Sequence, residues 1–189
     1  AAGRERTFAK SLKSIEGLRP DRGKLLDVGT AGGSFLAIAK RAGWDVAGCE
    51  PNRWMCEWAN EHYGLNVVPR TIFDMKLSDA AFDIVTLWDV LEHTPDPKSV
   101  LAECSRVLKP GGLLVVNYPD IGSWIARALG RRWLFLTSVH LYYFDRRTVR
   151  MILEKAGYSV DTVRPHVQRL ELDYILMRGA ILSRPQKKR

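Results

Sequence analysis

The chain has 189 residues, which suits one domain with an ordinary hydrophobic core. Its 46% hydrophobic and 26% charged residues exclude a disordered tail, a collagen-like fibre and a coiled coil, and no apolar run approaches the ~18 residues of a membrane span. Lysine and arginine outnumber aspartate and glutamate by 29 to 21, which indicates an anionic partner. Three cysteines without a CxxC pattern favour a reduced, cytoplasmic setting.

Short apolar runs alternate with amphipathic stretches over the first two thirds of the chain. In chain order they predict strands at 24–28, 44–49, 66–68, 82–87 and 113–117 and helices at 34–41, 53–63 and 98–108. Strands separated by single helices form βαβ units, so the sheet is expected to be mostly parallel and covered on both faces. The fold class is therefore α/β.

The regular alternation ends after residue 117. Residues 118–143 mix Trp, Tyr, Arg and Gly without a period, which predicts an inserted substrate-covering segment within a single domain, 1–189. A helix is predicted at 146–156, with Asp145 as its N-cap and Gly157 as its stop. Residues 158–164 resemble a strand, 170–182 fit either a strand or a helix, and the tail is expected to fray. The first residues contain neither Met nor a signal-like apolar core, so we expect a trimmed N-terminus.

The most informative segment is a strand, a glycine-rich turn and a helix at 25–36, LLDVGTAGGSFL. The glycines Gly29 and Gly33 are interpreted as letting the backbone approach a ligand closely. A dinucleotide-binding GxGxxG does not fit, because Ala31 and Ser34 stand where glycines are required, and no Gly-Lys-Ser/Thr of a P-loop follows. Asp27 at the strand end would repel a pyrophosphate but accept hydrogen bonds from an ammonium group.

A second carboxylate follows the next strand. Glu50 comes 21 residues after Gly29, close to the offset of about 20 at which an acid reaches ribose hydroxyls. One carboxylate for an ammonium and one for a ribose diol describe a positively charged nucleoside, S-adenosylmethionine. The alternative is an ordinary strand end with Glu50 in solvent.

Four motifs carry a family resemblance that spans 24–157. They are LLDVGTAGGSFL (25–36), GCEPN (48–52), FDIVTLWDVLEHTPDP (82–97) and VLKPGGLLVVNYPD (107–120). The sequence resembles the class I S-adenosylmethionine-dependent methyltransferases, in the small-molecule branch that includes ubiquinone and menaquinone biosynthesis enzymes. The resemblance implies a Rossmann-like, seven-stranded sheet in the order 3-2-1-4-5-7-6, with the seventh strand antiparallel.

The resemblance also implies a set of cofactor contacts. In such enzymes the loop after the third strand holds the adenine, which places Thr71 and Ile72 there. Relatives often carry Asp or Asn at the first of these positions, so adenine recognition is assigned to backbone groups or to Asp74. The implied cofactor contacts are Asp27, Gly29, Thr30, Ala31, Gly33, Glu50, Pro51, Asn52, Thr71, Ile72, Asp74, Trp88, Asp89 and His93.

Three polar residues, Asp89, Glu92 and His93, follow the fourth strand. Their spacing on a helical turn could gather metal ligands, and some relatives bind a divalent ion at such a pattern. The alternative is that Asp89 and His93 line the methionine end of the cofactor while Glu92 caps or pairs. Because the sequence offers no evident fourth ligand, we predict no metal.

The sequence NYPD at 117–120 is similar to the Asn/Asp-Pro-Pro-Tyr motif of amino-group methyltransferases. That motif belongs after the fourth strand, whereas this one follows the fifth. We therefore interpret it as a turn in which Pro119 ends the strand and Asp120 caps the next helix. The fourth strand ends in Leu-Trp-Asp, which argues against DNA amino methylation.

The acceptor is predicted to meet two histidines and an aromatic wall. His93 and His140 are candidate general bases, and the alternative for each is a structural hydrogen bond to backbone. The aromatic side chains that would surround the acceptor are Tyr118, Trp124, Trp133, Tyr142 and Tyr143.

Six arginines are concentrated near this wall, at 127, 131, 132, 146, 147 and 150. They indicate a phosphorylated, nucleotide-linked or carboxylated acceptor or a membrane surface, or else they form a solvated surface. No RNA-binding signature accompanies them, which argues against nucleic acid.

The predicted function is methyl transfer from S-adenosylmethionine to a small molecule, with O-methylation favoured and S-adenosylhomocysteine as product. The alternatives are a non-catalytic cofactor-binding partner subunit and an RNA methyltransferase.

Overall fold

The computed structural model describes residues 2–165. Within that range the helices are α1 (Ala2–Leu18), α2 (Ser34–Arg41), α3 (Arg53–Tyr63), α4 (Pro97–Val107), α5 (Trp124–Leu129) and α6 (Arg146–Lys155). The strands are β1 (Lys24–Val28), β2 (Asp45–Cys49), β3 (Val67–Val68), β4 (Phe82–Trp88) and β5 (Leu108–Asn117). Every strand and helix predicted before residue 118 is present, and β5 starts at Leu108 instead of 113.

The five strands form one parallel sheet in the order β3-β2-β1-β4-β5. The chain builds outward from β1 to β3 and then returns to the other side of β1 with β4. The point where the direction reverses lies between β1 and β4, and ligands bind at such a point beside the carboxyl ends of the strands. The α/β prediction and the parallel sheet are confirmed.

Alternate side chains of each strand enter two cores, as the period of two in a strand requires. On one face, Leu25 and Ile84 pack with Phe35 of α2. On the other face, Leu26 and Val85 join a cluster that includes side chains of α4. Helices therefore cover both faces and hold the carboxyl edge of the sheet in a fixed geometry.

Helix α1 has no counterpart among the sequence predictions. Its buried side chains Phe8, Leu12 and Ile15 belong to the core that contains α2. Their spacing of four and three residues is the helical period that would have revealed it. The helix brings Arg4 and Phe8 to the carboxyl edge of the sheet.

The segment after β5 differs from the prediction in two respects. Ser123, whose hydroxyl accepts from the Ala126 amide, caps α5, whereas Asp120 accepts from the Gly122 amide and closes a turn. The strand predicted at 158–164 is wrong, since 158–165 contain no regular element. A strand-like run gains little without a partner strand, and the Tyr158 hydroxyl instead donates to the Leu101 carbonyl at 2.9 Å.

Helix α6 follows its prediction closely. Asp145 and Thr148 form a reciprocal capping box at its start, and Gly157, with a φ of 88°, follows its end. The stretch 170–182 lies outside the described residues, and the sixth and seventh strands of the implied order are absent from 2–165. No helix in the described part of the chain is long and apolar enough to span a membrane.

Candidate functional site

The turn after β1 is fixed by backbone hydrogen bonds to the end of β2. The Gly29 amide donates to the Cys49 carbonyl at 2.8 Å, and the Thr30 amide donates to the same oxygen at 3.2 Å. The backbone then takes positive φ angles at Gly29 (69°), Ala31 (47°) and Gly33 (72°). A non-glycine residue in this region is strained, and such strain concentrates at ligand-binding sites.

The two glycines of this turn have a packing role. A Cβ on Gly29 would lie 2.6 Å from Val90 Cγ2, and one on Gly33 would lie 2.7 Å from Leu65 Cδ1. Both missing side chains thus point into the protein. Positive φ angles and close packing account for both glycines, and their close approach to a ligand stays a prediction.

Glu50 connects the end of β2 to the turn. Its Oε2 accepts from the Ala31 amide at 3.0 Å, and its Oε1 accepts from the Asn52 amide at 2.9 Å. Asn52 in turn caps α3 by accepting from the Met55 amide. A carboxylate offers about four acceptor positions, so Glu50 is held in place and still has acceptor capacity for hydroxyl groups. Pro51, which lies between Glu50 and Asn52, is exposed.

Asp27 lies on β1 with 1% of its surface exposed. The Thr86 hydroxyl of β4 donates to Asp27 Oδ1 at 2.6 Å. Burial raises the pKa of Asp27 to about 7, against the opposing effect of the Thr86 hydrogen bond. The neighbouring Glu50 charge raises it further, and Arg4 of α1 lowers it. This carboxyl therefore changes its charge near neutral pH, and a nearby cation would stabilise its ionised form.

A cavity of about 410 Å³ opens beside this turn. Five predicted cofactor contacts line it: Asp27, Gly29, Thr30, Ala31 and Trp88. The sequence analysis did not identify its other walls, which come from α1 (Arg4, Phe8), from the turn and the start of α2 (Gly32, Ser34, Phe35) and from α3 (Trp54, Met55, Trp58). The Trp88 ring lies 4.8 Å from that of Phe35 and 5.4 Å from that of Phe8, centroid to centroid, so one wall is aromatic.

The three predicted cofactor contacts on the loop after β3 differ in their exposure to solvent. Ile72 is buried in the core, whereas Thr71 and Asp74 are exposed. The Thr71 hydroxyl donates to Asp74 Oδ2 at 2.5 Å, which lowers the pKa of Asp74. The two side chains thus form one hydrogen-bonded polar pair on the surface of the loop.

Asp89 ends β4 with a φ of 54°. Asn117 of β5 donates its side-chain amide to Asp89 Oδ1 at 2.6 Å, and the Asp89 amide donates to the Asn117 carbonyl at 3.1 Å. This arrangement ties Asp89 to the neighbouring strand. Asp89 is consequently not part of the metal-ligand group that its sequence spacing suggested.

Glu92 and His93 meet His140 of the covering segment instead. Donor atoms of these three residues all lie within 4.8 Å of one another, and we call them the histidine cluster. Glu92 has 1% of its surface exposed, and its pKa is raised to about 7 by burial and secondarily by Asp89. The rings of His93 and His140 lie edge to face, 4.7 Å between centroids.

The predicted acceptor aromatics divide between two places. Tyr118, Trp124 and Trp133 line an open groove along β5, whereas Tyr142 and Tyr143 adjoin the histidine cluster. Trp133 is buried and Trp124 is 77% exposed. The Tyr142 hydroxyl donates to the Pro95 carbonyl and the Tyr143 hydroxyl to the Thr137 carbonyl. These residues do not form a single described pocket.

The six arginines near the covering segment are all exposed. Arg146 lies 3.5 Å from an Asp120 oxygen, and Arg150 lies 3.8 Å from Glu154. Most of their charge therefore faces solvent.

Comparison with known proteins completes the description of the site. A family model described as a methyltransferase domain matches 1–163. A ubiquinone biosynthesis O-methyltransferase from Methylococcus capsulatus is 41% identical over 95 residues, which cover 47% of this chain and 40% of that protein. The chain spans half or less of the length of such curated relatives.

Two solved structures illustrate the similarity in fold. A SAM-dependent methyltransferase from Thermotoga maritima superposes with a TM-score of 0.67 at 25% identity, covering 84% of this chain and 73% of that one. A SAM-dependent methyltransferase from Archaeoglobus fulgidus gives a TM-score of 0.68 at 21% identity, covering 95% and 86%, and it supports the fold alone.

Proposed function

Because the chain belongs to the methyltransferase-domain family, we propose that it transfers a methyl group from S-adenosylmethionine to a small-molecule acceptor, with an oxygen nucleophile favoured. One observation carries the proposal. Two carboxylates, Asp27 and Glu50, flank one glycine turn at the carboxyl edge of the sheet, next to a cavity of about 410 Å³.

The residues at this edge fit that cofactor. Asp27 would accept from its ammonium group, and Glu50, fixed by the Ala31 and Asn52 amides, would accept from its ribose hydroxyls. The Thr71–Asp74 pair and the aromatic wall that contains Trp88 would hold its other parts. When bound, the cofactor supplies a methyl group on a positively charged sulfur.

The protein's part in such a transfer is to align a nucleophile and exclude water. His93 donates from Nδ1 to the Val139 carbonyl at 3.0 Å, because a carbonyl can only accept. In the neutral ring this hydrogen bond leaves the lone pair on Nε2, which is the form that a general base requires. His93 does not line the 410 Å³ cavity, so its role on the acceptor side and that of His140 are proposals that the experiment below tests.

The acceptor is proposed to carry a negative charge. Exposed arginines at 127, 146 and 147 line the same groove as Tyr118 and Trp124, so an anionic molecule or membrane surface would be attracted there. Salt should weaken this attraction.

The test is methyl transfer to a panel of phenolic and catecholic acceptors, followed by mass spectrometry for the gain of one methyl group. His93→Ala and His140→Ala are compared with His62→Ala, an exposed histidine of α3 outside the histidine cluster. A base is indicated if kcat falls about 10²-fold or more while cofactor affinity is kept.

Two experimental outcomes would change this assignment. Full turnover in both variants would mean that catalysis relies on proximity alone. Saturable cofactor binding without turnover on any acceptor, together with a stable complex with another protein, would show a non-catalytic partner subunit instead.

A further inference from the structure

We propose that Asp89, held in place by Asn117, binds the hydroxyl group of the methyl acceptor. This role rests on the proposed methyl transfer and deepens it by naming the residue that contacts the acceptor. It moves Asp89 from the predicted cofactor contacts to the acceptor side. It also gives a function to Asn117, the first residue of the sequence NYPD.

Asp89 lies where the cofactor cavity meets the open groove along β5. Its neighbour Trp88 lines both the 410 Å³ cavity and the groove, whereas Asp89 lines the groove and not that cavity. A cofactor in the cavity and an acceptor in the groove would therefore approach each other at these two residues. Methyl transfer requires the reacting atoms to be in contact, so Asp89 stands on the acceptor side of the reaction.

The backbone at Asp89 is a second indication of function, independent of the groove. Its φ of 54° lies in the left-handed region, which residues other than glycine, asparagine and aspartate rarely adopt. Such conformations cost free energy and are concentrated at binding and catalytic sites. Here the conformation falls on the residue directly after β4, at the carboxyl edge where ligands of parallel sheets bind.

Asn117 fixes the position of the Asp89 carboxylate. The sheet register pairs Trp88 with Asn117 at the ends of β4 and β5. The Asn117 side-chain amide donates to Asp89 Oδ1 at 2.6 Å, and the Asp89 amide donates to the Asn117 carbonyl at 3.1 Å. A carboxylate offers about four acceptor positions, so the bond from Asn117 orients the group without exhausting its capacity to accept. Asn117 is thus a positioning residue that acts through Asp89.

A carboxylate at this place selects an acceptor that can donate a hydrogen bond. An ionised carboxylate only accepts, and its hydrogen bonds are roughly twice as strong as those between neutral groups. A hydroxyl group that donates to Asp89 directs its proton toward the protein and keeps an oxygen lone pair for the methyl carbon. An ether or carbonyl oxygen has no proton to donate and gains nothing from this contact.

The rest of the groove indicates the remainder of the acceptor. Tyr118 and Trp124 line it, together with exposed arginines at 127, 146 and 147. Aromatic side chains pack against a ring, and the arginines attract an anionic group. The acceptor class is therefore a phenol that carries a negatively charged group at a distance from its hydroxyl.

Two probes that differ by one hydroxyl group test the contact. The first, 3-(4-hydroxyphenyl)propionate, carries a phenol and a carboxylate, and the second, 3-phenylpropionate, lacks only the hydroxyl. Each probe is titrated by calorimetry into the whole chain in the presence of saturating S-adenosylhomocysteine. The ratio of the two affinities, the hydroxyl selectivity, is the quantity compared between variants.

Asp89→Asn is the decisive variant. Asparagine tolerates the positive φ, and its carbonyl oxygen still accepts from Asn117, while an amide donor replaces the second carboxylate oxygen. Asn117→Ala tests the positioning role. The matched control is Asp79→Asn, because Asp79 also lines the groove but is exposed and forms an ion pair with Arg106.

We expect the unaltered chain and Asp79→Asn to bind the phenol about tenfold or more tightly than 3-phenylpropionate. Asp89→Asn should lose this selectivity and Asn117→Ala should reduce it, while both keep the affinity for 3-phenylpropionate. A merely structural role would lower both affinities together. If Asp89→Asn fails to fold by circular dichroism, the selectivity of Asn117→Ala decides the matter.

The proposal is overturned if the unaltered chain shows no hydroxyl selectivity, if neither probe binds, or if Asp89→Asn or a folded Asn117→Ala keeps the full selectivity. Failure of the proposed function gives a different result. Selective binding of phenols without the gain of a methyl group on any acceptor would remove methyl transfer and leave the hydroxyl contact at Asp89 standing. Methyl transfer to phenols without hydroxyl selectivity would do the reverse.

Discussion

Two buried acids, Asp27 and Glu92, show how the cofactor edge of the sheet differs from the histidine cluster. Each has 1% of its surface exposed, and burial raises the pKa of each to about 7. Asp27 receives a short hydrogen bond from Thr86, whereas neither oxygen of Glu92 has a hydrogen-bond partner from another residue within the described chain. The cofactor edge thus supplies a hydrogen bond to its buried carboxyl from a neighbouring strand, and the histidine cluster does not.

The two regions therefore differ in how their buried carboxyl groups are stabilised. At the cofactor edge, Glu50 and Thr86 connect neighbouring strands, so its geometry is set by the fold. In the histidine cluster, the backbone is fixed but the Glu92 carboxyl has no hydrogen-bond partner from another residue of the described chain. Changes at the first site should therefore act on stability and cofactor affinity, and changes at the second should leave cofactor affinity unchanged.

The largest effect should come from Asp27→Asn and should depend on pH. The raised pKa means that the folded state holds the Asp27 proton between pH 4 and 7 while the unfolded state has lost it. The stability of the wild type therefore falls as pH rises through this window, by at most about 4 kcal/mol from this group. Asp27→Asn should lack that part of the decline.

The measurement is urea unfolding of both proteins from pH 4 to pH 8. The difference between the two curves isolates Asp27 from other groups that titrate in the same range. Curves that remain parallel would show that Asp27 is ionised in the folded protein throughout.

The next prediction tests whether close packing is the reason that Gly33 is a glycine. In Gly33→Ala the new Cβ would lie 2.7 Å from Leu65 Cδ1 and 2.9 Å from Ala59 Cβ, at a φ of 72°. We expect a loss of about 3 kcal/mol in the free energy of unfolding. Ala31→Gly, two residues away at a φ of 47°, should instead stabilise by up to about 1 kcal/mol. Equal effects of the two substitutions in thermal unfolding would refute the packing explanation.

Sequence reasoning succeeded where a pattern depends on neighbouring residues. The strands and helices up to residue 117 follow from periodicity, and the family resemblance is confirmed by a match over 1–163. It found the carboxylates of the cofactor edge because they stand at strand ends, although the roles assigned to them stay predictions.

It could not find contacts between distant segments. The approach of His140 to Glu92, across 48 positions, depends on hydrogen bonds between two irregular stretches that have no period. The walls that α1 contributes were missed because its apolar spacing was not recognised. The strand predicted at 158–164 failed because propensity alone does not supply a partner strand.

A third prediction links the cofactor edge to pH through ligand affinity. An ammonium group binds the ionised form of Asp27, so affinity for S-adenosylhomocysteine should rise with pH by about tenfold per unit below 7 and level off above it. Calorimetry at pH 5.5, 6.5 and 7.5 measures this. Asp27→Asn should bind weakly at every pH, and a wild-type affinity that does not vary with pH would argue against contact between Asp27 and the ammonium group.

The smallest effect concerns the covering segment. The Tyr142 hydroxyl donates to the Pro95 carbonyl at 3.0 Å and helps to hold His140 beside His93. Tyr142→Phe removes one exposed hydrogen bond, so we expect a loss of about 1 kcal/mol in unfolding free energy. Affinity for S-adenosylhomocysteine should not change. A fall in cofactor affinity of equal size would contradict the separation of the two regions.

Calorimetry of S-adenosylhomocysteine binding to the unaltered chain, Glu50→Gln and Glu57→Gln tests the central claim most directly. Glu57 lies exposed on α3 and serves as the matched control. The account predicts one site per chain, unchanged in Glu57→Gln and weaker in Glu50→Gln by roughly 1.5–3 kcal/mol, the value of one charge-assisted hydrogen bond. An unaltered chain that binds no S-adenosylhomocysteine, or a Glu50→Gln variant that binds it equally well, would contradict the account.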